Sequence, residues 1–390
     1  MPQSSASNLR FPPPVLPEVT QTLRAEVRAF LVESLAADAW QPNSDFGAGF
    51  SAEFSRQIAA RGWIGMTWPK EYGGHGRSNL ERYVVTEELL AAGAPVFAHW
   101  IADRQSGPLL LRFGSEDQRQ SLLPGIAAGE CFFSIGMSEP DSGSDLASVR
   151  TRAERSAGGW RLNGAKVWTS NAHLNHFMIT LCRSGDAGDD RHGGLSQFLI
   201  DLRADGVTIN PIINILGTHE FNEVVFDDVE IPEDRLIGQE GDGWQQVTSE
   251  LAYERSGPER FLSNFHVFRA LVDAIGTAPD ARQTEALGRL TGRLWMLRRM
   301  SLSVAAMLED GESPQIEAAI VKQLGNQFER DVVDTARAVL PVQPSTIKGD
   351  NVADYSTIMA EAILRQPSFT LRGGTTEIMR SIIARGLGLR

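Results

Sequence analysis

Between Pro17 and Gly129, apolar residues recur every three or four positions, the period of a helix that buries one face. In PEVTQTLRAEVRAFLVESLAADAW the stripe is Val19, Leu23, Val27, Phe30 and Leu31. NLERYVVTEELLAAGAP repeats it and is stopped by its closing Gly and Pro. GSEDQRQSLLPGIAAGE predicts a shorter helix, with Ser115 as the N-cap ahead of an acidic first turn. From Cys131 the period changes. WRLNGAKVWTSN, FMITLCR, LSQFLID, VTINPI and EVVFDDVEI are short β-branched and aromatic runs separated by Gly, Asp and Asn, which predicts a small antiparallel sheet. Helical spacing resumes at Trp244 and runs through PQIEAAIVKQLGNQFERDVVDTARAV to the C-terminus, with PVQPSTIKGDNVAD as a loop on the way. Helices, then strands, then helices make an α+β chain and not a βαβ alternation. The predicted parts are an all-helical N-terminal domain over 1–130, a central antiparallel β-domain over 131–243 and a C-terminal helical bundle over 244–390.

One acid falls on an apolar face. In WQQVTSELAYERSGPERFLSNFHVF, a continuous helix places Val247, Leu251, Pro258, Phe261 and Phe265 in a narrow stripe with Glu254 in its middle, while Glu250 and Glu259 turn to the margin or away. A carboxylate that loses its hydration there gains a raised pKa, which suits a general base. Helical geometry alone favours the plainer role, an ion pair with Arg255 or with an arginine on another helix.

The 390 residues are enough for two or three cores, and 42% hydrophobic with 22% charged residues is the make-up of a soluble globular chain. A formal charge of -12 with a pI near 5.2 argues against nucleic acid or an anionic membrane as the main partner. Cys131 and Cys182 lie far apart without a C-x-x-C spacing, as in a reducing compartment, and each reads as a small buried hydrophobe. MPQSSASNLRFPPP lacks the basic-then-apolar order of a secretory leader, and no apolar run reaches the length of a membrane span. The expected location is the cytoplasm.

Several loops could bear chemistry. IGMSEPDSGSD gathers Ser138, Ser142, Ser144 and two glycines around a proline, offering N–H groups and hydroxyls to a polar ligand edge. KVWTSN sets Trp168 beside Thr169 and Ser170, a ring and hydroxyls suited to a flat heteroaromatic; by itself the tryptophan reads equally as a core or edge residue. His173 and His176 in NAHLNH have no acidic or thiolate neighbour and read as solvated loop histidines, not metal ligands. LRGGTTEIMRSII reads as a loop that opens a helix and could hold a phosphate, yet nothing in it up to Thr376 is an acid or base. Dinucleotide-binding, Walker and triad signatures are absent from the sequence.

Taken in order, GWIGMTWPKEYGGHG, EELLAAGAP, LPGIAAGE, MSEPDSGSDLASVRTRA, LNGAKVWTSNA, FNEVVFDDVEIPEDRLIG and GGTTEIMRSIIA resemble the acyl-CoA dehydrogenase family of flavoproteins. The resemblance implies a helical domain, a β-domain and a helical bundle, with FAD as cofactor. The implied reaction removes hydrogens from Cα and Cβ of an acyl-CoA thioester to give a trans-2-enoyl-CoA. A carboxylate takes the α-proton, flavin N5 takes the β-hydride, and a backbone N–H with a ribityl hydroxyl grips the thioester oxygen. By position, Ile135, Met137, Ser138 and Ser144 resemble the strand and loop against the flavin ring, with Ser144 shared with substrate. Trp168, Thr169 and Ser170 resemble the segment lying against the isoalloxazine and its N5. Thr375, Thr376 and Glu377 resemble the turn at the cofactor's nucleotide part, and Arg255 and Gly374 are the implied substrate neighbours.

Two departures from the family pattern carry information. Where many members have glutamate before the Gly-Thr of the C-terminal loop, this chain has Gly373. A subset with glycine or alanine there supplies the acid from the helix after the β-domain, and Glu254 in LAYER matches that position, leaving Gly373 to offer its backbone N–H. The R-x-x-F-G segment and later Gly-rich stretch of homodimeric members are replaced by AIGTAPDARQTEALGRL and AVLPVQPSTIKGD. The expected assembly is a homo-oligomer or a heteromer with a second dehydrogenase-like subunit, passing electrons to an electron-transferring flavoprotein or similar acceptor. Two other readings share these motifs: a cofactor-poor partner subunit of a heteromeric dehydrogenase, and a flavin monooxygenase on the same fold.

Overall fold

A computed structural model of the chain describes residues 9–35, 42–254, 256–345 and 355–389, with side chains throughout except at 250–254. In chain order the elements are α1 (Val19–Ser34), α2 (Ala52–Ala60), α3 (Asn79–Ala91), α4 (Phe97–Ile101), α5 (Gly107–Phe113) and α6 (Glu116–Ala127). The strands follow: β1 (Phe133–Gly136), β2 (Arg152–Ser156), β3 (Gly159–Ser170), β4 (Phe177–Arg183), β5 (Leu195–Asp201), β6 (Val207–Ile213), β7 (His219–Pro232) and β8 (Leu236–Ile237). The last helices are α7 (Gly243–Glu254), α8 (Phe265–Ile275), α9 (Ala281–Glu309), α10 (Gln315–Val339), α11 (Tyr355–Arg365) and α12 (Thr376–Gly386). The order is the expected helices, sheet and helices. Contacts group the chain into two compact units: Met1–Phe50 with Arg77–Val96 and Ala252–Arg390, and Ser51–Gly76 with Phe97–Leu251.

In the first unit, α1 buries Leu23, Val27, Phe30 and Leu31 as its period predicts, but Val19 at its first turn is exposed. Ser78 and Glu81 close a capping box on α3. The buried face of α3 is also charged: Glu87 accepts from Arg24 at 2.9 Å and from Arg298 of α9 at 2.9 Å, and Glu88 accepts from Arg28 at 2.6 Å and from Arg24. Carboxylates so far out of water require such partners.

The stripe drawn through Val247, Glu254, Pro258, Phe261 and Phe265 does not belong to one helix. α7 stops at Glu254, Gly257 is extended, Pro258–Arg260 form a 3-10 turn, and α8 begins at Phe265. Pro258 explains the break, since it has no N–H and disfavours helical geometry at the residue before it. Glu259, expected at the margin, is buried beside Arg260, with 3.7 Å between carboxylate and guanidinium. Arg255, the side chain of Glu254 and most of the predicted PVQPSTIKGDNVAD loop lie outside the described residues.

In the second unit one eight-stranded sheet runs in the order β6-β7-β3-β2-β4-β5-β8, with β1 attached to β4. All five strands legible in the sequence form, and their pairing is antiparallel. β1 pairs with β4 in parallel, which the turn signals between strands did not announce. Trp160, Leu162, Met178, Cys182, Phe198, Ile200 and Phe226 fill the core, with the Trp160 and Phe198 rings edge-on at 5.1 Å. Ser115 caps α6 as expected, and Gln118, its capping-box partner, donates from Nε2 to the carbonyls of Asp234 (2.6 Å) and Leu236 (2.9 Å), tying α6 to β8. Cys182 is buried and its thiol is pushed up to about 12 by burial, while Cys131 is half-buried. Among the described residues no helix is long and apolar enough to cross a membrane.

Burial lowers His99, which shares a 2.9 Å hydrogen bond with the Ser55 hydroxyl, to about 4, and lowers His266 to about 4 as well. Both stay neutral in the fold, whereas an unfolded chain protonates them near 6.5. Their contribution to stability is therefore whole above about pH 6.5 and is lost as pH falls toward 4, by about 1.4 kcal/mol per pH unit for each histidine. Urea unfolding should show a lower stability at pH 5 than at pH 7.5, and His99→Gln should shrink that difference. A His99→Gln variant with the parent's full pH dependence would contradict the assignment.

Candidate functional site

A buried ion pair positions the serine loop after β1. Lys166 of β3 is fully buried, and its ammonium donates to Glu139 Oε1 at 2.7 Å and to the Met137 carbonyl at 3.2 Å. Glu139 also accepts from the N–H groups of Arg150 (2.6 Å) and Thr151 (2.9 Å). Burial by itself would raise the Glu139 carboxyl, but Lys166 and these donors hold it below the usual carboxylate range. Burial draws the Lys166 ammonium down against the pull of its partners. Glu139 and Ser142 exchange backbone hydrogen bonds of 2.7 and 3.1 Å, the Ser142 hydroxyl donates to the Asp145 carbonyl at 2.7 Å, and the Val167 N–H donates to the Ser138 carbonyl at 2.9 Å. Ser142 is thus consumed by the turn. The hydroxyls of Ser138 and of exposed Ser144 have no hydrogen-bond partner among the described residues. Ile135 and Met137 lie half-buried at the end of β1, where a Cβ on Gly136 would sit 2.0 Å from Met178 Cε and displace the end of that side chain.

Beside that loop the ladder between β3 and β7 slips, passing from Lys166↔Val224 to Thr169↔Asn222. Trp168 occupies the irregularity at φ 61, a left-handed backbone that a bulky residue rarely adopts. Its ring is 59% exposed and meets Phe221 edge-on at 6.0 Å. It is therefore neither a core residue nor a relaxed edge residue; it is a strained tryptophan offered to solvent, the kind of outlier that collects at binding sites. Thr169 turns inward, and its buried hydroxyl lacks a hydrogen-bond partner. Ser170 accepts the Ser134 hydroxyl on its carbonyl at 2.8 Å and keeps its own hydroxyl unengaged among the described residues. A wide aromatic face with the hydroxyls of Ser138 on the loop after β1 and of Ser170 at the end of β3 fits a planar heteroaromatic such as a flavin ring.

In the first unit the C-terminal turn is built from two left-handed glycines, Gly373 at φ 64 and Gly374 at φ 93. Lys322 of α10, completely buried, donates to the carbonyls of Arg372 (2.8 Å) and Gly374 (3.0 Å). The Arg372 guanidinium reaches Asp45 at 2.9 and 3.0 Å, Glu329 at 3.2 Å and the Ser263 hydroxyl. Burial would lower Arg372, but Asp45 and Glu329 hold it above its ordinary value; burial raises Glu329. Thr375 caps α12 by accepting the Ile378 N–H, so the expected helix start is where the sequence puts it. The N–H groups from Gly373 through Glu377 find no acceptor among the described residues. Together with the positive end of α12 they form a cradle for a polar or anionic group.

The described residues therefore bring Ile135, Met137, Ser138, Trp168 and Ser170 together in one unit, and Gly373, Gly374, Thr375, Thr376 and Glu377 together in the other. Glu254 is the last residue of α7. His176 is structural, its Nδ1 accepting the Phe132 N–H at 3.1 Å, and His173 stacks on His219 at 3.7 Å, so neither is a merely solvated loop histidine. Sequence reading passed over Glu139, Lys166, Lys322 and Arg372. The available signal was a charge inside an apolar period: Lys166 between Ala165 and Val167 in a strand, and Lys322 beside Ala318, Val321 and Gly325 on the buried face of α10.

Comparison with known proteins places the chain. Three family models match in order: acyl-CoA dehydrogenase, N-terminal domain, over residues 17–130, middle domain over 134–229 and C-terminal domain over 241–388. Acyl-CoA dehydrogenase IpdE1 of Mycobacterium tuberculosis is 36% identical over 391 residues, 95% of this chain and 97% of that protein. Among solved structures, the Tcur3481-Tcur3483 steroid ACAD superposes with a TM-score of 0.85 at 29% identity, covering 96% of this chain and 97% of the other. The ChsE4-ChsE5 complex from Mycobacterium tuberculosis gives a TM-score of 0.81 at 27% identity, covering 98% and 100%.

Lys166→Met should leave Glu139 buried without its cation, at a cost of about 3 kcal/mol. The measurement is urea unfolding together with hydrogen exchange at residues 138–145, which should lose protection. Unchanged protection in that loop would show that the pair does not hold it.

Proposed function

This chain belongs to the acyl-CoA dehydrogenase family, whose cofactor is FAD, and from that premise we propose that Glu254 is the base which removes the α-proton of an acyl-CoA thioester. The observation that carries the reading is the turn at Gly373. Its N–H has no acceptor among the described residues, and its backbone is left-handed. A Cβ there would sit 3.1 and 3.2 Å from the guanidinium nitrogens of Arg260. That geometry disfavours a side-chain base at 373 and suits a backbone donor, so the acid must come from elsewhere. Glu254 closes α7 in the same unit.

The division of labour follows from the chemistry. An α-carbon next to a thioester is too weak an acid for a carboxylate unless negative charge on the oxygen is stabilised as it develops, a task this proposal gives to the Gly373 N–H. When bound, FAD supplies the acceptor for the β-hydride. Ile135, Met137, Ser138, Ser144, Trp168, Thr169 and Ser170 hold the flavin ring in this proposal. Thr375, Thr376 and Glu377 meet the nucleotide part, and Ser144, Arg255 and Gly374 meet the substrate. The product is a trans-2-enoyl-CoA, formed in the cytoplasm, with electrons passed to an electron-transferring flavoprotein or similar acceptor. The three functional segments are 1–130, 131–243 and 244–390.

A second protein chain belongs to this reading. The segment AIGTAPDARQTEALGRL stands where homodimeric members carry R-x-x-F-G, and similar structures include a complex of two differently named chains. We assign the protein to a heteromeric dehydrogenase in which a second dehydrogenase-like subunit completes cofactor binding. FAD stoichiometry of the purified chain, alone and with that subunit, tests this point; a full complement of FAD on the isolated chain, with turnover, would refute it.

An absorbance spectrum followed by anaerobic titration with straight-chain, branched and ring-bearing acyl-CoAs tests the activity. At least one should bleach the flavin, with the ring-bearing compounds included because a structural relative is described as a steroid enzyme. Glu254→Gln should slow that bleaching by at least about a hundredfold while leaving FAD bound; bleaching at the parental rate would remove Glu254 from the mechanism. Trp168→Gly should relieve left-handed strain and stabilise the apoprotein by about 1 kcal/mol while weakening FAD binding. Calorimetric melting and FAD titration should thus move in opposite directions.

A further inference from the structure

We infer that Lys322 is a positioning residue for the reaction, strengthening and aiming the Gly373 N–H through the peptide group that the N–H shares with the Arg372 carbonyl. The inference rests on the reading of Gly373 as the thioester's oxygen donor. The carbonyl of Arg372 and the N–H of Gly373 are two ends of one amide. The Lys322 ammonium lies 2.8 Å from that carbonyl oxygen. Drawing electron density toward the oxygen leaves the N–H more acidic, and bonds in such a chain reinforce one another. Lys322 is 0% exposed, so water does not screen its charge.

The same ammonium also fixes direction. Its second bond, 3.0 Å to the Gly374 carbonyl, pins the Gly374–Thr375 peptide, so Lys322 holds the peptide that enters Gly373 and the one that leaves Gly374. Two adjacent left-handed glycines would otherwise be the most mobile pair in the turn. Arg260 closes the remaining side, with its guanidinium nitrogens 3.1 and 3.2 Å from where a Gly373 Cβ would stand, and Lys322 Cε is 3.4 Å from that point. Two cationic side chains thus pack against Gly373, whose N–H has no acceptor among the described residues. The arrangement raises the field at the place where oxygen gains negative charge, and it needs no reorganisation when the charge appears.

The experiment uses the FAD-loaded full chain, with its partner subunit where loading requires one. Lys322→Met, Lys322→Gln and Lys322→Arg are compared with the parent. Anaerobic stopped-flow reads flavin reduction by the acyl-CoA that reduces the parent, and infrared difference spectroscopy reads the carbonyl stretch of the matching trans-2-enoyl-CoA, labelled with carbon-13 at the thioester. Lys322→Met should lower the limiting reduction rate about tenfold to a hundredfold, with half-saturation changed by less than about threefold. The bound carbonyl stretch should rise toward its value in water. Lys322→Gln should fall between, and Lys322→Arg should recover most of both readouts. A Lys322→Met protein with the parent's reduction rate and carbonyl frequency overturns the proposal. Loss of folding or FAD from all three variants, Arg included, also overturns it, by assigning the lysine to stability alone. Failure of every acyl-CoA to reduce the parent is a separate result, which defeats the dehydrogenase reading itself.

Discussion

The guanidinium of Arg372 is the constraint on which the C-terminal turn depends. It joins Asp45, Ser263 and Glu329, three points of the chain that come no nearer in sequence than forty-three residues to Arg372. Glu329 is fully buried, and removing its cation would leave an uncompensated carboxylate at a cost of about 3 to 5 kcal/mol. Because the same residue's carbonyl receives Lys322, the fold-stabilising charge network and the backbone of the turn are one assembly. The left-handed glycines do not choose their conformation locally. It is imposed by side chains from α10 and from the segments around Asp45 and Ser263.

The sheet loop obeys the same logic with different residues. Lys166 and Glu139 set the path of Met137 to Ser142, and the slip between β3 and β7 turns Trp168 outward. In each case the groups without partners among the described residues, hydroxyls in one and N–H donors in the other, are those left over after a buried ion pair has used its neighbours. Strain at Trp168 persists because the strands on both sides of the irregularity are fully paired.

Much of this was legible in the order of residues. Period and turn chemistry located α1, α3, α6 and five strands, since each buries one face, and boundary signals such as the Ser115 cap that starts α6 or the Gly-Ala-Pro after α3 mark where elements begin and end. The helical wheel through Glu254 failed because a wheel assumes continuity, and Pro258 breaks it. Glu259 was misread for the same reason. Period did not reveal β1, because four residues carry too little of it and its parallel partner is remote; only the resemblance implied a strand at Ile135. Lys322 and Arg372 escaped for a deeper reason: a lysine in a helix is ordinary, and only tertiary contacts reveal that its charge ends on two particular carbonyls. Motif resemblance supplied the family and its cofactor, which local patterning could not.

The parallel pairing of β1 with β4 bears on how the chain assembles. Phe133 aligns with Phe177, and between them lie the whole β2–β3 hairpin and its bulge. Antiparallel neighbours can zip from a turn, but β1 must wait until β4 has been synthesised and docked, and closing that long loop is an entropic cost met late. During synthesis the strand that leads into the serine loop therefore stays unpaired while the hairpin beyond it forms. The segment that presents Ser138 finds its place only after that hairpin, and until β4 emerges it is a natural point of attack for a protease or chaperone on a nascent chain.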